Sequence, residues 1–261
     1  MFIDELKLLN FRNYNEVDFK FDSKLNIIIG DNAQGKTNII ESIFFSSFGK
    51  SFRTTRDREL IKDGCDMSYI KISCKKRYKD VSIELRLWKN KKKEIKINRY
   101  NLSKLSELLG NINVVVFSPE DITLIKGGPS ERRKFIDREL SNISRNYYNN
   151  IMSYNKVLNQ RNNLLRSCQF NSSLVKTIDI WDDQIIEYGV KVMKIRKRFI
   201  EKLNEISNVL HNNITNSKED IVLKYITNLK YDPDNFEESV RKIFKENLIN
   251  KRSLEIKRGH T

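Results

Sequence analysis

The residues with the clearest chemical capacity are Gly30-Asp31-Asn32-Ala33-Gln34-Gly35-Lys36-Thr37, which satisfy G-x-x-x-x-G-K-[ST] at every fixed position. A polyphosphate is the ligand this set suits. Gly30 and Gly35 admit backbone angles and close approaches that a Cβ would block, so successive N–H groups can turn inward around phosphate oxygens. Lys36 has the reach for β- and γ-phosphates, and the Thr37 hydroxyl is a natural Mg²⁺ ligand. ATP with Mg²⁺ is therefore the expected cofactor. Cysteines and histidines offer little beside this. Cys65, Cys74 and Cys168 are odd in number and form no C-x-x-C pair, and His211 and His260 are isolated, so neither a disulfide framework nor a zinc site is indicated.

A strand before the loop and a helix after it are the context that would confirm the motif. Leu25-Asn26-Ile27-Ile28-Ile29 has the β-branched character of a strand buried on both faces of a parallel sheet. After the loop, Asn38 to Phe45 puts Ile39, Ile40, Ile43 and Phe44 on one helical face, and the N-terminus of that helix adds partial positive charge at the phosphates. Upstream, Phe2–Leu9 and Glu16–Phe21 read as strands around the turn Asn13-Tyr14-Asn15. Downstream, Gly49 to Arg58 is a basic polar segment whose Arg53 is either a phosphate- or DNA-sensing arginine or part of a solvated loop.

The chain has 261 residues, room for one large domain or two small ones, with 49 Lys plus Arg against 34 Asp plus Glu, a net charge of +15. That excess points to a polyanionic partner. No apolar run approaches membrane-spanning length and the N-terminus lacks signal-peptide features, so a cytoplasmic protein without a membrane partner is expected. From Tyr69 to Asn98 three short β runs read as an antiparallel meander. Lys71 to Arg99 holds twelve basic and three acidic residues, concentrated in turns carrying Lys75, Lys76, Arg77 and Lys91, Lys92, Lys93. These are either DNA phosphate contacts or lysines that block an exposed sheet edge.

Leu102–Leu109 reads as a short helix and Asn113–Phe117 as another buried strand. Ser118 and Pro119 separate that strand from Glu120 and Asp121, so it is not a Walker B strand. Beyond Gly127-Gly128-Pro129, with Ser130 as N-cap, two amphipathic runs follow. The first is Tyr147, Ile151, Tyr154, Leu158, Leu165 and Cys168, interrupted by Arg161; the second runs from Trp181 to Leu210. Joined by a polar connector, they should fold back as an antiparallel hairpin, with the basic residues of the second reading as a solvated face. Asp220–Tyr231 reads as a strand or two, and Phe236 to Leu248 as a helix.

Several of these motifs together resemble the RecF family, whose head is related to ABC and SMC ATPases. They are Phe11-Arg12-Asn13-Tyr14, the phosphate loop with Asn38 and Glu41, Lys50-Ser51-Phe52-Arg53, Phe117-Ser118-Pro119-Glu120-Asp121, and Gly127 to Asp137. Tyr154 to Asn162, Trp181-Asp182-Asp183-Gln184 and Glu255 to Thr261 extend the likeness over the whole chain. The resemblance implies an α/β fold: a P-loop NTPase head of ABC/SMC type with an antiparallel β meander and an inserted long helical hairpin. It implies an ATP-binding lobe at 1–129, a hairpin arm at 130–215, and a return to the head at 216–261 that is incomplete at the C-terminus. In function it implies an ATP-switched homodimer that binds DNA at single-strand to double-strand junctions. Such a protein works with RecR and RecO to load RecA in DNA repair, replication and the SOS response. Arg53 would couple DNA to nucleotide, and Glu120 or Asp121 would lie in a metal-sensing loop. The family's ABC signature and Walker B acid have no counterpart here, so ATP binding without turnover is expected. Two other readings are a P-loop small-molecule kinase, which the heptads and charge fit poorly, and a non-hydrolysing module that holds ATP and DNA.

Overall fold

The computed structural model describes residues 1–261, apart from the side chain of Glu120, so the metal-sensing reading of that acid falls outside the described residues. Two compact units divide the chain: residues 1–135 with 141–145, and residues 136–140 with 146–261.

The first unit is built on alternation. β1 (Phe2–Phe11), β2 (Tyr14–Lys20), β3 (Met67–Lys75), β4 (Val81–Trp88), β5 (Glu94–Ile97) and β6 (Tyr100–Asn101) form one antiparallel sheet in the order β2-β1-β3-β4-β5-β6. The register aligns Phe19, Leu6, Ile72, Ile83 and Ile97 across the strands, and Val17, Leu8, Ile70, Leu85 and Ile95 in the next row. These rows make one apolar face, because side chains two apart share a side of the pleat. Helix α1 (Lys36–Phe48) packs there through Ile39, Ile43 and Phe45. Its buried face is rotated from the expected one: Phe45 is fully buried, whereas Ile40 is exposed.

The expected strands at 25–29 and 113–117 are not formed. Leu25, Ile27, Ile29, Val115 and Phe117 are exposed, Phe117 by 93%. A β-branched segment becomes a strand only when a neighbour takes its N–H and C=O groups. Among the described residues no strand pairs with either segment. At 102–109 a 3₁₀ turn, Leu105–Glu107, replaces the short helix. Another 3₁₀ turn, Pro119–Ile122, leads into the single turn α2 (Thr123–Lys126). Helix α3 (Pro129–Ile143) starts with its proline, so Ser130 lies inside the first turn and is not the N-cap.

The second unit is helical: α4 (Arg145–Cys168), α5 (Ile178–Thr215) and α6 (Phe236–Arg258). α4 and α5 do form the antiparallel pair. Tyr147 and Ile151 pack with Val192, Val157 packs with Ile185 and Ile186, and Leu165 and Cys168 pack with Ile178, so the register runs in opposite senses. α6 closes on the pair through Val240 and Leu248. Arg161, which interrupts the apolar spacing, is fully buried. It donates from Nε to Asp182 Oδ1 (2.6 Å), from Nη2 to Glu255 Oε2 (2.9 Å) and from Nη1 to the Thr261 hydroxyl (2.7 Å), joining α4, α5, α6 and the residue three beyond α6. Arg252 adds a bond to Asp182 Oδ2 at 2.7 Å.

A second ionic knot holds α3 to α5. Arg196 grips both Asp137 oxygens (2.8 and 2.7 Å), and Tyr147 donates to Asp137 Oδ1 at 2.5 Å. The basic face of α5 is largely paired: Lys191 with Glu187, Lys194 with Glu237 and Lys197 with Glu201. No strand forms at 220–231. The backbone beside it is held by α5 side chains instead, with Asn204 Oδ1 accepting from Leu223 N (2.6 Å) and Asn208 donating to Ile221 O (3.2 Å).

Candidate nucleotide site

The phosphate loop leads directly into α1, whose 13 residues begin at Lys36. Lys36 Nζ donates to Gly30 O (2.6 Å) and Asp31 O (2.7 Å), drawing the loop into a ring closed by its own ammonium. Asp31, Asn32, Ala33, Gln34 and Thr37 are exposed, whereas Gly35 is buried. Of the two motif glycines, Gly35 is the one whose surroundings demand the residue type. Its φ is 99°, and a Cβ there would lie 2.7 Å from Asn13 Oδ1 and 2.9 Å from the Tyr14 hydroxyl, while nothing lies within 4 Å of a Cβ at Gly30. The left-handed turn inside the loop is made by Ala33, with φ 66°. Tyr14, pressed against Gly35, has its hydroxyl pKa raised by burial.

The β1–β2 turn is therefore part of the site. Arg12 adopts φ 53°, its N–H donates to Leu60 O (2.8 Å), and Lys62 Nζ binds Asn13 O (3.2 Å) and Asn15 Oδ1 (2.5 Å). Asn38, on the first turn of α1, donates to Asn13 Oδ1 at 2.8 Å.

Behind the loop sits Glu41, fully buried in the middle of α1. Arg12 Nε and Nη2 form a two-pronged pair with its oxygens at 2.9 and 2.7 Å. Ser51 Oγ donates to it at 2.5 Å, and Arg53 Nη1 reaches it at 3.2 Å while also donating to Asn38 Oδ1 at 2.9 Å. One carboxylate thus fixes two guanidiniums at the flank of the phosphate loop, leaving a net positive cluster. A bidentate arginine pair is rigid as well as strong, so Arg12 is set by geometry as much as by charge. Sequence reasoning noted Glu41 and Arg12 only as parts of motifs and gave them no role. The available signal was a lone acid within Ile39-Ile40-Glu41-Ser42-Ile43 on a helix that must pack on a sheet. Arg53, assigned from the sequence, does stand beside the loop.

The basic residues of the meander do not form one patch. Lys75, Lys76 and Arg77 occupy the β3–β4 turn, whereas Lys91, Lys92 and Lys93 occupy the β4–β5 turn at the other end of the sheet, since Cys74 faces Val81 and Met67 faces Trp88. Eight residues of β4 separate them by roughly 25 Å. Lys75 is paired with Asp80 at 3.0 Å, which raises its pKa. Lys93 is a structural tie: its Nζ donates to Gly49 O, the C-cap of α1, at 2.5 Å and to Asp57 at 2.7 Å. Asp121, expected in a metal-sensing loop, accepts from Ser118 N at 2.7 Å and caps its own 3₁₀ turn. Among the described residues no cluster of His, Cys, Asp and Glu could hold a metal ion, and no helix is long and apolar enough to cross a membrane.

A phosphate loop on a helix packed under an antiparallel sheet defines an ATPase-type head, and residues 2–178 match the family described as RecF/RecN/SMC N terminal domain. The chain is 44% identical to the DNA replication and repair protein RecF of Alkaliphilus oremlandii, over all 261 residues and 71% of that protein. It is 42% identical to the RecF of Clostridium tetani, over all of this chain and 70% of the relative. A solved structure of the recombination mediator protein RecF with ATP, from the RecFOR pathway, superposes with a TM-score of 0.92 at 33% identity, covering 100% of this chain and 69% of the other. The chain belongs to the RecF family, and spans about seven-tenths of the length of these relatives.

Proposed function

We propose that this chain is an ATP-dependent, DNA-binding recombination mediator of the RecF type, acting in DNA repair and replication. The observation that carries the reading is the phosphate loop closed by Lys36 and flanked by Arg12 and Arg53 on the Glu41 carboxylate. ATP would be held by the N–H groups of residues 30–37, the N-terminus of α1 and Lys36, all of which suit a polyphosphate. The exposed Thr37 hydroxyl on the first turn of α1 fits a Mg²⁺ ligand. Bound Mg-ATP would supply a polyanion for which the loop N–H groups and Lys36 are matched donors. Lys36 would then exchange its two carbonyl partners for phosphate oxygens.

DNA at single-strand to double-strand junctions is the proposed polyanion, with Arg53 and the free lysines of the meander turns as its contacts. RecR, RecO and a second copy of the chain are the proposed protein partners, and loading of RecA the outcome. These rest on family membership and on the charge of +15. The test is a melting curve with Mg-ATP. At about 100 times its dissociation constant the nucleotide should stabilise the protein by about 2.7 kcal/mol, and Lys36→Ala should abolish the shift while melting normally without nucleotide. Equal shifts in both proteins would remove the loop from the binding site.

A further inference from the structure

The β4–β5 turn carries a feature that charge alone does not explain. Trp88, the last residue of β4, lies in a recess of about 350 Å³ that it lines with Asp57, Leu87, Lys91, Lys92 and Lys93. Lys91 Nζ stands 4.0 Å from the centroid of the Trp88 ring. Lys93 is committed to Asp57 and to the Gly49 carbonyl at the end of α1, so the pair forms a fixed wall. The exposed Lys91 and Lys92 are the cations left for a ligand.

We propose that Trp88 is a stacking platform for one unpaired base of a single-stranded nucleic acid, with Lys91 and Lys92 on the flanking phosphates. This rests on the DNA reading above and says which turn touches the strand and how. An aromatic face beside mobile cations is the arrangement that binds single strands without reading sequence, because every base offers a π-face and every nucleotide a phosphate. The Trp88 backbone is fixed at a strand end by pairing with Met67, and its ring face already carries the Lys91 ammonium. Lys91 already occupies the ring face as a cation. An arriving base would displace it toward the adjacent phosphate, keeping its charge in use. The opposite turn at Lys75–Arg77 has its own aromatic, Tyr78, with the Arg77 guanidinium 5.5 Å from the ring centroid.

The chain has two tryptophans, so a Trp181→Phe variant leaves Trp88 as the only indole fluorophore. Titration with a thymidine oligonucleotide should quench its emission, whereas an abasic oligonucleotide of equal length should bind through phosphates and leave it unchanged. Trp88→Leu should weaken binding of the thymidine strand by about tenfold, within the range for one stacked base, with no change in abasic-strand affinity. An unaltered Mg-ATP melting shift in Trp88→Leu shows that its fold is intact. Binding without quenching, or equal affinity in Trp88→Leu, overturns the stacking site while leaving the DNA reading in place. Failure of every oligonucleotide and gapped duplex to bind overturns both.

Discussion

Glu41 is the residue on which the nucleotide site turns. Its carboxylate is shut away from water and takes up the charge of Arg12 and Arg53 together, so the geometry of both arginines depends on one negative group. Glu41→Gln keeps the shape but offers N–H donors where two guanidiniums expect an acceptor. The expected loss is about 2–3 kcal/mol of stability, below the full cost of breaking a buried pair because both arginines can swing toward solvent. Mg-ATP affinity should fall with it, since the released arginines no longer flank the loop. Thermal unfolding and nucleotide titration read the two effects, and unchanged values for both would reduce the cluster to surface decoration.

Among the elements, the hub at Arg161 decides whether the second unit is one body. Arg161→Met strands Glu255 and part of Asp182 without a cation, and should cost about 3–5 kcal/mol in urea unfolding. Pairing it with Glu255→Leu should recover a good part of that loss, because a well-packed apolar contact can replace a buried ion pair. No recovery would mean that Arg161 matters for its volume and not its charge. The same hub marks the limit of sequence reading. Local chemistry was legible: the G-x-x-x-x-G-K-T loop, the alternation of β3 and β4, and the four-and-three spacing of α4 and α5 depend on neighbours within a few residues. Arg161 was legible only as a break in an apolar seam, since its carboxylate partners lie 21 and 94 residues away. The segments at 25–29 and 113–117 misled for the converse reason: their composition is that of strands, but pairing is a property of two segments and not of one.

For the whole molecule the expectation is binding of ATP without its turnover. Phosphoryl transfer to water needs a residue that orients the nucleophile, commonly a carboxylate or a glutamine. Both oxygens of Glu41 are occupied by Arg12, Arg53 and Ser51, and Asp121 is committed to Ser118. Purified protein with Mg-ATP and DNA should release no phosphate above background. DNA-stimulated release that disappears in Lys36→Ala would show that a carboxylate outside these contacts does the work.

The contact between Arg161 and Glu255 also sets a clock. A ribosome adds about 5–20 residues per second, so the 94 residues between them take roughly 5 to 19 s to emerge. During that interval Arg161 has Asp182 of α5 as its partner but neither Glu255 nor Thr261, so α4 and α5 meet around a charge that is only partly satisfied. The helical unit of a nascent chain is therefore completed late and at once, when α6 arrives with its carboxylate. Any factor that shelters the newborn protein has its work during those seconds.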